Sequence, residues 1–363
     1  MKCKSQPLPQ PSDTIQASSK AVQDAYSRVV TAENLSQKAE EKRNSRIIGY
    51  LLIWFVKFQH TLSEQPTTYL VEEIHHLPDD RAVFELGEHY LQLFTAFRRY
   101  KPTPKPSTRP SRPSPDDQVE DLEHLVGSKK NYKNTKDLAL FRDGFRCLAT
   151  SVLEMQAVLL YNVANDGTAS PTQCCHIFGA GNVIDLEANK HERELKRQRA
   201  SGSLAILKAF GISISDTFIQ KDGVHDLRNV LTLRAPCHEA FDAMYMWFEP
   251  TGVKHQYKIC HFIDGQLARE THDMVTFQIN DAVVEGSSPC IEKMKANPDQ
   301  FLPDPKLLTL HATCAKVAHL SGAAEVLDEW ERDLEEKKVL AADGSDMDMF
   351  NYALIGLVQV EVN

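Results

Sequence analysis

The residues best suited to chemistry lie in two short segments, some fifty positions apart. In the first, Cys174-Cys175-His176-Ile177-Phe178, an imidazole ends an apolar strand just ahead of the turn Gly179-Ala180-Gly181, which lets a ligand approach. A histidine so placed can serve as a general base toward water, a role that contributes roughly 10²–10⁴-fold in rate. The second segment opens with Asp226-Leu227-Arg228-Asn229-Val230-Leu231-Thr232-Leu233, where Asn229 begins another strand and offers a side-chain amide to tie the intervening loop. Cys237-His238-Glu239-Ala240-Phe241-Asp242 follows. His238 and Asp242 are four apart, so on a helix they share one face a turn apart and can converge on one cation. Mixed nitrogen and oxygen ligation suits a transition metal or Mg²⁺. The chemistry such a set could carry is metal-assisted attack by water, with His176 as base and a divalent cation to neutralise the developing charge.

Positioning such a site takes two strands and a helix in register, and the pattern supplies them. The strand at Cys174–Phe178 is followed by an insertion of helical character, about 186–210. A short strand over Asn229–Leu233 and a helix over His238–Met246 come next, with Pro236 suited to the first helical turn. A turn at Glu249-Pro250-Thr251-Gly252 leads into an alternating strand over Lys254–Phe262. The stretch Arg142–Thr150 reads as a turn entering a strand, and Leu307 to about Lys338 as one long helix. Upstream, residues 19–100 read as a helical region, with helical patterning over Ser19–Leu62 and again over Asp80–Tyr100. Residues 1–18 are polar and proline-bearing and are expected to lack structure. Six prolines with interspersed Lys and Arg make 101–118 an extended basic linker, the clearest boundary in the chain. The expected fold class is α+β, with the site domain over 119–324 and an acidic segment over 325–363.

Bulk properties narrow the setting. The 363 residues carry a net charge of −9, of which the segment from Glu325 onward supplies −8, from eleven Asp/Glu against three basic residues. The rest is therefore near neutral and leaves room for a local basic surface. Eight cysteines without a CxxC pair argue against a disulfide framework or a four-cysteine zinc site. Reduced thiols point to an intracellular setting, nuclear or cytoplasmic. The most apolar run, Ile47–Phe58, is too short to span a bilayer and contains Lys57, so no membrane partner is expected.

Taken together, Arg142-Asp143-Gly144-Phe145-Arg146-Cys147, Cys175-His176-Ile177, Asn229–Leu233 and His238–Asp242 resemble the fungal HNH-endonuclease-domain proteins. Pro305–Ala312 and its continuation through Ala324 resemble the segment that closes those proteins. The resemblance covers about 138–325. It implies a ββα-metal core with His176 as base, Asn229 as the middle residue of the motif and His238 as a metal ligand. Asp242 falls where some HNH nucleases carry a further helical ligand. The implied cofactor is a divalent ion (Mg²⁺, Mn²⁺ or Zn²⁺) and the implied substrate is DNA. Lys190, Arg193, Lys196, Arg197 and Arg199, clustered in the insertion, are the candidate phosphate-tracking residues. One departure stands out: the residue before the catalytic histidine is commonly an Asp or His that binds the metal, and here it is Cys175. A thiolate ligates Zn²⁺ well and Mg²⁺ poorly. This departure leaves open a second reading, a catalytically degenerate HNH scaffold used for protein or nucleic-acid binding.

Overall fold

The computed structural model describes residues 5–10, 13–98, 132–161, 163, 167–178, 205–212, 225–280 and 288–336. The proline-rich linker, the basic cluster Lys190–Arg199 and residues 337–363 lie outside them. The described chain mixes helices with three small sheets, an α+β arrangement.

The helical region begins with α1 (Asp13–Gln16), α2 (Lys20–Leu35) and α3 (Ala39–Lys57). It continues with α4 (Gln59–Leu62), α5 (Gln65–His76) and α6 (Asp80–Phe97). Side chains cap two of these helices: Ser19 accepts from the Val22 amide at α2, and Asp79 from the Ala82 amide at α6. The apolar run read from the sequence is the buried half of α3, where Ile47, Ile48, Leu51, Leu52 and Phe55 have almost no exposure. Helix α6 crosses α3 so closely that a Cβ on Gly87 would stand 2.2 Å from the Asn44 carbonyl oxygen, so only glycine fits there.

The first residues do not match the expectation of a chain without structure. Leu8 is buried against Gly49, its amide donates to Glu33 at 3.0 Å, and the Gln6 amide donates to the Leu320 carbonyl at 2.8 Å. Tyr26 and Tyr50 donate their hydroxyls to carbonyls of residues 6–9. Two apolar anchors, Leu8 and Ile15, and a few hydrogen bonds to the backbone outweigh the polar composition.

Beyond the linker, α7 (Tyr132–Arg142) leads through a turn to β1 (Leu153–Glu154) and α8 (Met155–Tyr161). The strand expected after Arg142 is reduced to a lone bridge between Arg146 and Leu153. β2 (Ala169–Ser170) pairs with β1, and β3 (Thr172–His176) pairs antiparallel with β4 (Val230–Arg234). Directly after β4 comes α9 (Ala235–Asp242), then an antiparallel meander of β5 (Met246–Pro250), β6 (Gln256–His261) and β7 (Met274–Thr276), with α10 (Gln266–Glu270) between the last two.

Helices α11 (Ser288–Ala296), α12 (Pro305–Ser321) and α13 (Ala323–Glu336) close the described chain. The long helix expected from Leu307 is thus two helices. Gly322 sits at φ 90° in the left-handed region and ends α12, a conformation glycine adopts without strain. Helix α12 packs on α3, α4 and α6 on one side and on β5 on the other. One buried cluster consequently runs from Leu8 through the helical region to Met246, Phe248 and Leu327. Among the described residues no helix is long and apolar enough to cross a membrane.

Candidate metal centre and general base

The period of two along β3 divides the site. Gln173 and Cys175 leave one face of the strand; Thr172, Cys174 and His176 leave the other. Cys174 packs among Leu138, Ala139, Leu227, Val230, Cys290 and Met294, whereas Cys175 belongs to the main core. Helix α9 packs on β3, β4 and β5 and presents His238 and Asp242 toward Cys175. All three side chains are buried, and their ligand atoms lie within 4.8 Å of one another. Cys175 Sγ is 3.8 Å from Asp242 Oδ1, and His238 Nε2 is 3.1 Å from Asp242 Oδ2.

The donor set suits a divalent cation: one sulfur, one imidazole nitrogen and one carboxylate oxygen. His238 Nε2 is buried and, despite its proximity to Asp242, makes no hydrogen bond of acceptable geometry with the described residues. A cation seated among the three atoms would satisfy it. The site is therefore physically matched to a metal.

His176 ends β3, one residue beyond Cys175, so their Cα atoms are about 3.8 Å apart. Its side chain is 7% exposed, and its Nε2 lies 3.1 Å from Nδ1 of His225, itself 5% exposed. At that distance one nitrogen donates and the other accepts. The backbone of His225 is held in turn, its carbonyl accepting from Thr135 Oγ1 at 2.7 Å.

Asn229 is fully buried and holds Phe178 with both ends of its side-chain amide. Its Oδ1 accepts from the Phe178 amide at 2.8 Å, and its Nδ2 donates to the Phe178 carbonyl at 3.0 Å. Its own carbonyl accepts from the Ile177 amide at 2.7 Å. The chain leaving His176 is thus clamped to the chain entering β4. A 3₁₀ turn over Leu227–Asn229, capped by Asp226, brings Asn229 to that position.

Three further residues support the site, and sequence reasoning gave none of them that role. Arg142, wholly buried at the end of α7, is held bidentately by Asp143 at 2.7 and 2.8 Å. It donates as well to the carbonyls of Leu227 (2.7 Å), Val230 (2.9 Å) and Phe301 (3.0 Å), and so fixes the backbone on both sides of Asn229. Glu154, 2% exposed, accepts from both the amide and the hydroxyl of Thr172, which anchors the start of β3. His311 on α12 stacks on Phe241 at a centroid distance of 3.7 Å and donates through Nε2 to the Phe241 carbonyl, which supports the last turn of α9 beside Asp242.

Residues 157–249 match the profile of a family described as HNH endonuclease. That stretch contains β3, β4 and α9 with Cys175, His176, Asn229, His238 and Asp242; within it the chain is similar to an HNH domain. No curated protein and no solved structure matches the chain.

Proposed function

We propose that the β3–β4–α9 unit is a ββα-metal centre that hydrolyses DNA phosphodiester bonds. The observation that carries this reading is the convergence of Cys175, His238 and Asp242, with His176 the next residue along β3, within the region similar to HNH endonucleases. Cys175, His238 and Asp242 would hold the cation, which supplies the positive charge that neutralises the scissile phosphate and its leaving oxygen.

The remaining steps belong to the chain. His176 takes a proton from the attacking water, and the 3.1 Å contact with His225 Nδ1 stabilises the imidazolium that results by sharing its proton. Asn229 holds Phe178, and through it the turn that follows the base, at a fixed distance from β4. Burial of the whole set keeps bulk water from screening these charges. The basic residues Lys190, Arg193, Lys196, Arg197 and Arg199 are proposed to track the phosphate backbone, and 19–100 to act as the scaffold for the domain over 119–324.

The competing reading, a degenerate scaffold that only binds, is favoured by Cys175 in place of a harder ligand. Plasmid nicking by the purified protein with Mg²⁺, Mn²⁺, Zn²⁺ or EDTA, beside His176→Ala, separates the two. Metal-dependent nicking that falls about 10²–10⁴-fold in the variant is expected. Absence of nicking with every metal, or equal nicking by His176→Ala, would leave a binding scaffold.

A further inference from the structure

The face of β3 that carries Cys175 also carries Gln173, and its contact with α9 decides which atom of His238 is offered to a ligand. Gln173 Oε1 lies 2.6 Å from His238 Nδ1. An amide oxygen can only accept, so Nδ1 is the nitrogen that carries hydrogen, and Nε2 is the nitrogen left to face a ligand. Nε2 lies 3.1 Å from Asp242 Oδ2, so a cation seated among the donors would be shared by both residues. A tetrahedral cation with bonds of about 2.0–2.3 Å sets its donor atoms roughly 3.3–3.8 Å apart. Nε2 is 3.1 Å from Asp242 Oδ2 and Sγ is 3.8 Å from the other carboxylate oxygen, Oδ1, and one donor atom from each of the three residues falls within 4.8 Å of the others.

We propose that this centre selects a zinc-class cation, with Cys175, His238 Nε2 and Asp242 as its three protein donors and a fourth position open, and with Gln173 as the positioning residue that fixes the His238 donor atom. The proposal rests on the metal reading above and adds the identity of the cation. The sulfur decides it: thiolate is a good partner for Zn²⁺ or Co²⁺ and a poor one for Mg²⁺. On binding, the Cys175 Sγ–H bond breaks, the proton leaves to solvent and the sulfur lone pair goes to the metal, with no change of oxidation state. Gln173 touches neither substrate nor metal; it acts through His238, as hydrogen-bond partners of ligating histidines do, and loss of such a partner typically weakens metal affinity about 10–100-fold.

The test uses the full chain, stripped with chelator and titrated with Co²⁺ as an optical probe. Wild type should show sulfur-to-cobalt charge-transfer absorption that Zn²⁺ abolishes by displacement and excess Mg²⁺ does not. Cys175→Asp should lose that absorption and lose the preference for Zn²⁺ over Mn²⁺. Gln173→Ala, a change at an exposed position, should keep the absorption while binding Co²⁺ about 10–100-fold more weakly, and Gln173→Glu should restore tight binding. Co²⁺ bound without a sulfur signature, or bound equally by Gln173→Ala, overturns this proposal and leaves the metal centre standing. Binding of no divalent ion by wild type overturns the centre itself.

Discussion

Two side-chain clusters centred on carboxylates differ in one respect of composition. Where α6 ends, Arg98, 1% exposed, donates through Nε and Nη2 to Glu331 at 3.1 and 2.9 Å and through Nη2 to Asp328, both on α13. Tyr245 donates to the same Asp328 at 3.1 Å. Here the positive charge belongs to the chain. At the other cluster the three converging atoms, Cys175 Sγ, His238 Nε2 and an Asp242 oxygen, are all electron-pair donors. The first cluster is a tie between the helical region and the end of the described chain. The second, on the reading proposed above, receives its charge from outside.

Breaking the first cluster should have the largest effect. Arg98→Ala removes the cation and leaves two acidic side chains facing a buried gap. Removing one partner of a buried pair costs about 3–5 kcal/mol, and the partial exposure of Asp328 (35%) and Glu331 (24%) places this case near the lower figure. A urea midpoint in chelator reads that loss directly. The loss should be the same with metal present, and a loss that metal repairs would contradict the division between the clusters.

Near Arg98 lies a pH-dependent element. His319 stacks on Phe262 at 3.6 Å and donates through Nε2 to the Met244 carbonyl at 2.9 Å. Burial, with Arg98 adding to it and the Met244 hydrogen bond and Asp328 opposing, pushes its pKa down to about 4. The folded state therefore keeps His319 neutral, while the unfolded chain takes up a proton near its ordinary value of about 6.5. Above pH ~6.5 neither state is protonated at this site and the full stability is present. Between about 6.5 and about 4 the unfolded state gains the proton first, and roughly 3 kcal/mol is lost. His319→Gln, followed by thermal melting across that window, should flatten the slope. Parallel pH profiles for variant and wild type would remove the assignment.

Sharpening the second cluster calls for a ligand rather than a deletion. A divalent ion at about 100 times its dissociation constant should raise unfolding stability by about 2.7 kcal/mol. Asp242→Asn should abolish that increment, and Arg98→Ala should retain it in full. Protection of Asp242→Asn equal to that of wild type would show that the ion binds elsewhere.

The two clusters also differ in how far the sequence announces them. The site cluster is local in its signals: an i,i+4 pair on a short helix, an Asn at a strand entry, and a Cys-His at a strand end each carry their own geometry. Its supports are not local. Arg142 reads as part of a turn, yet its guanidinium reaches carbonyls at Leu227, Val230 and Phe301, a pairing only the folded chain creates. His225 lies in a stretch without periodicity, and Gln173 is an ordinary exposed polar residue near the start of a strand. On the helical side, α3 and α6 are legible from their apolar period. The Arg98 cluster is not, because its acidic members fall in a tail whose charge reads only as solvation. Leu8 and Gly322 show the reverse case, in which one residue changes the outcome for a whole segment.

The smallest expected effect probes the joint between base and metal sides. Asn229→Ala removes both hydrogen bonds to Phe178, leaving a buried amide and a buried carbonyl to find other partners, at a cost of about 1–3 kcal/mol. Asn229→Asp should recover little. It preserves the acceptor for the Phe178 amide but sets a carboxylate oxygen against the Phe178 carbonyl in place of a donor. The ligand atoms of Cys175, His238 and Asp242 do not depend on this contact, so cobalt binding should change little in either variant. Nicking should fall far more than binding, because the chain just past His176 loses its clamp to β4 and the base its fixed position. If both variants bound metal and nicked DNA as wild type does, Asn229 would be a structural tie like Arg98, and the boundary between scaffold and site would have to be drawn inside the motif itself.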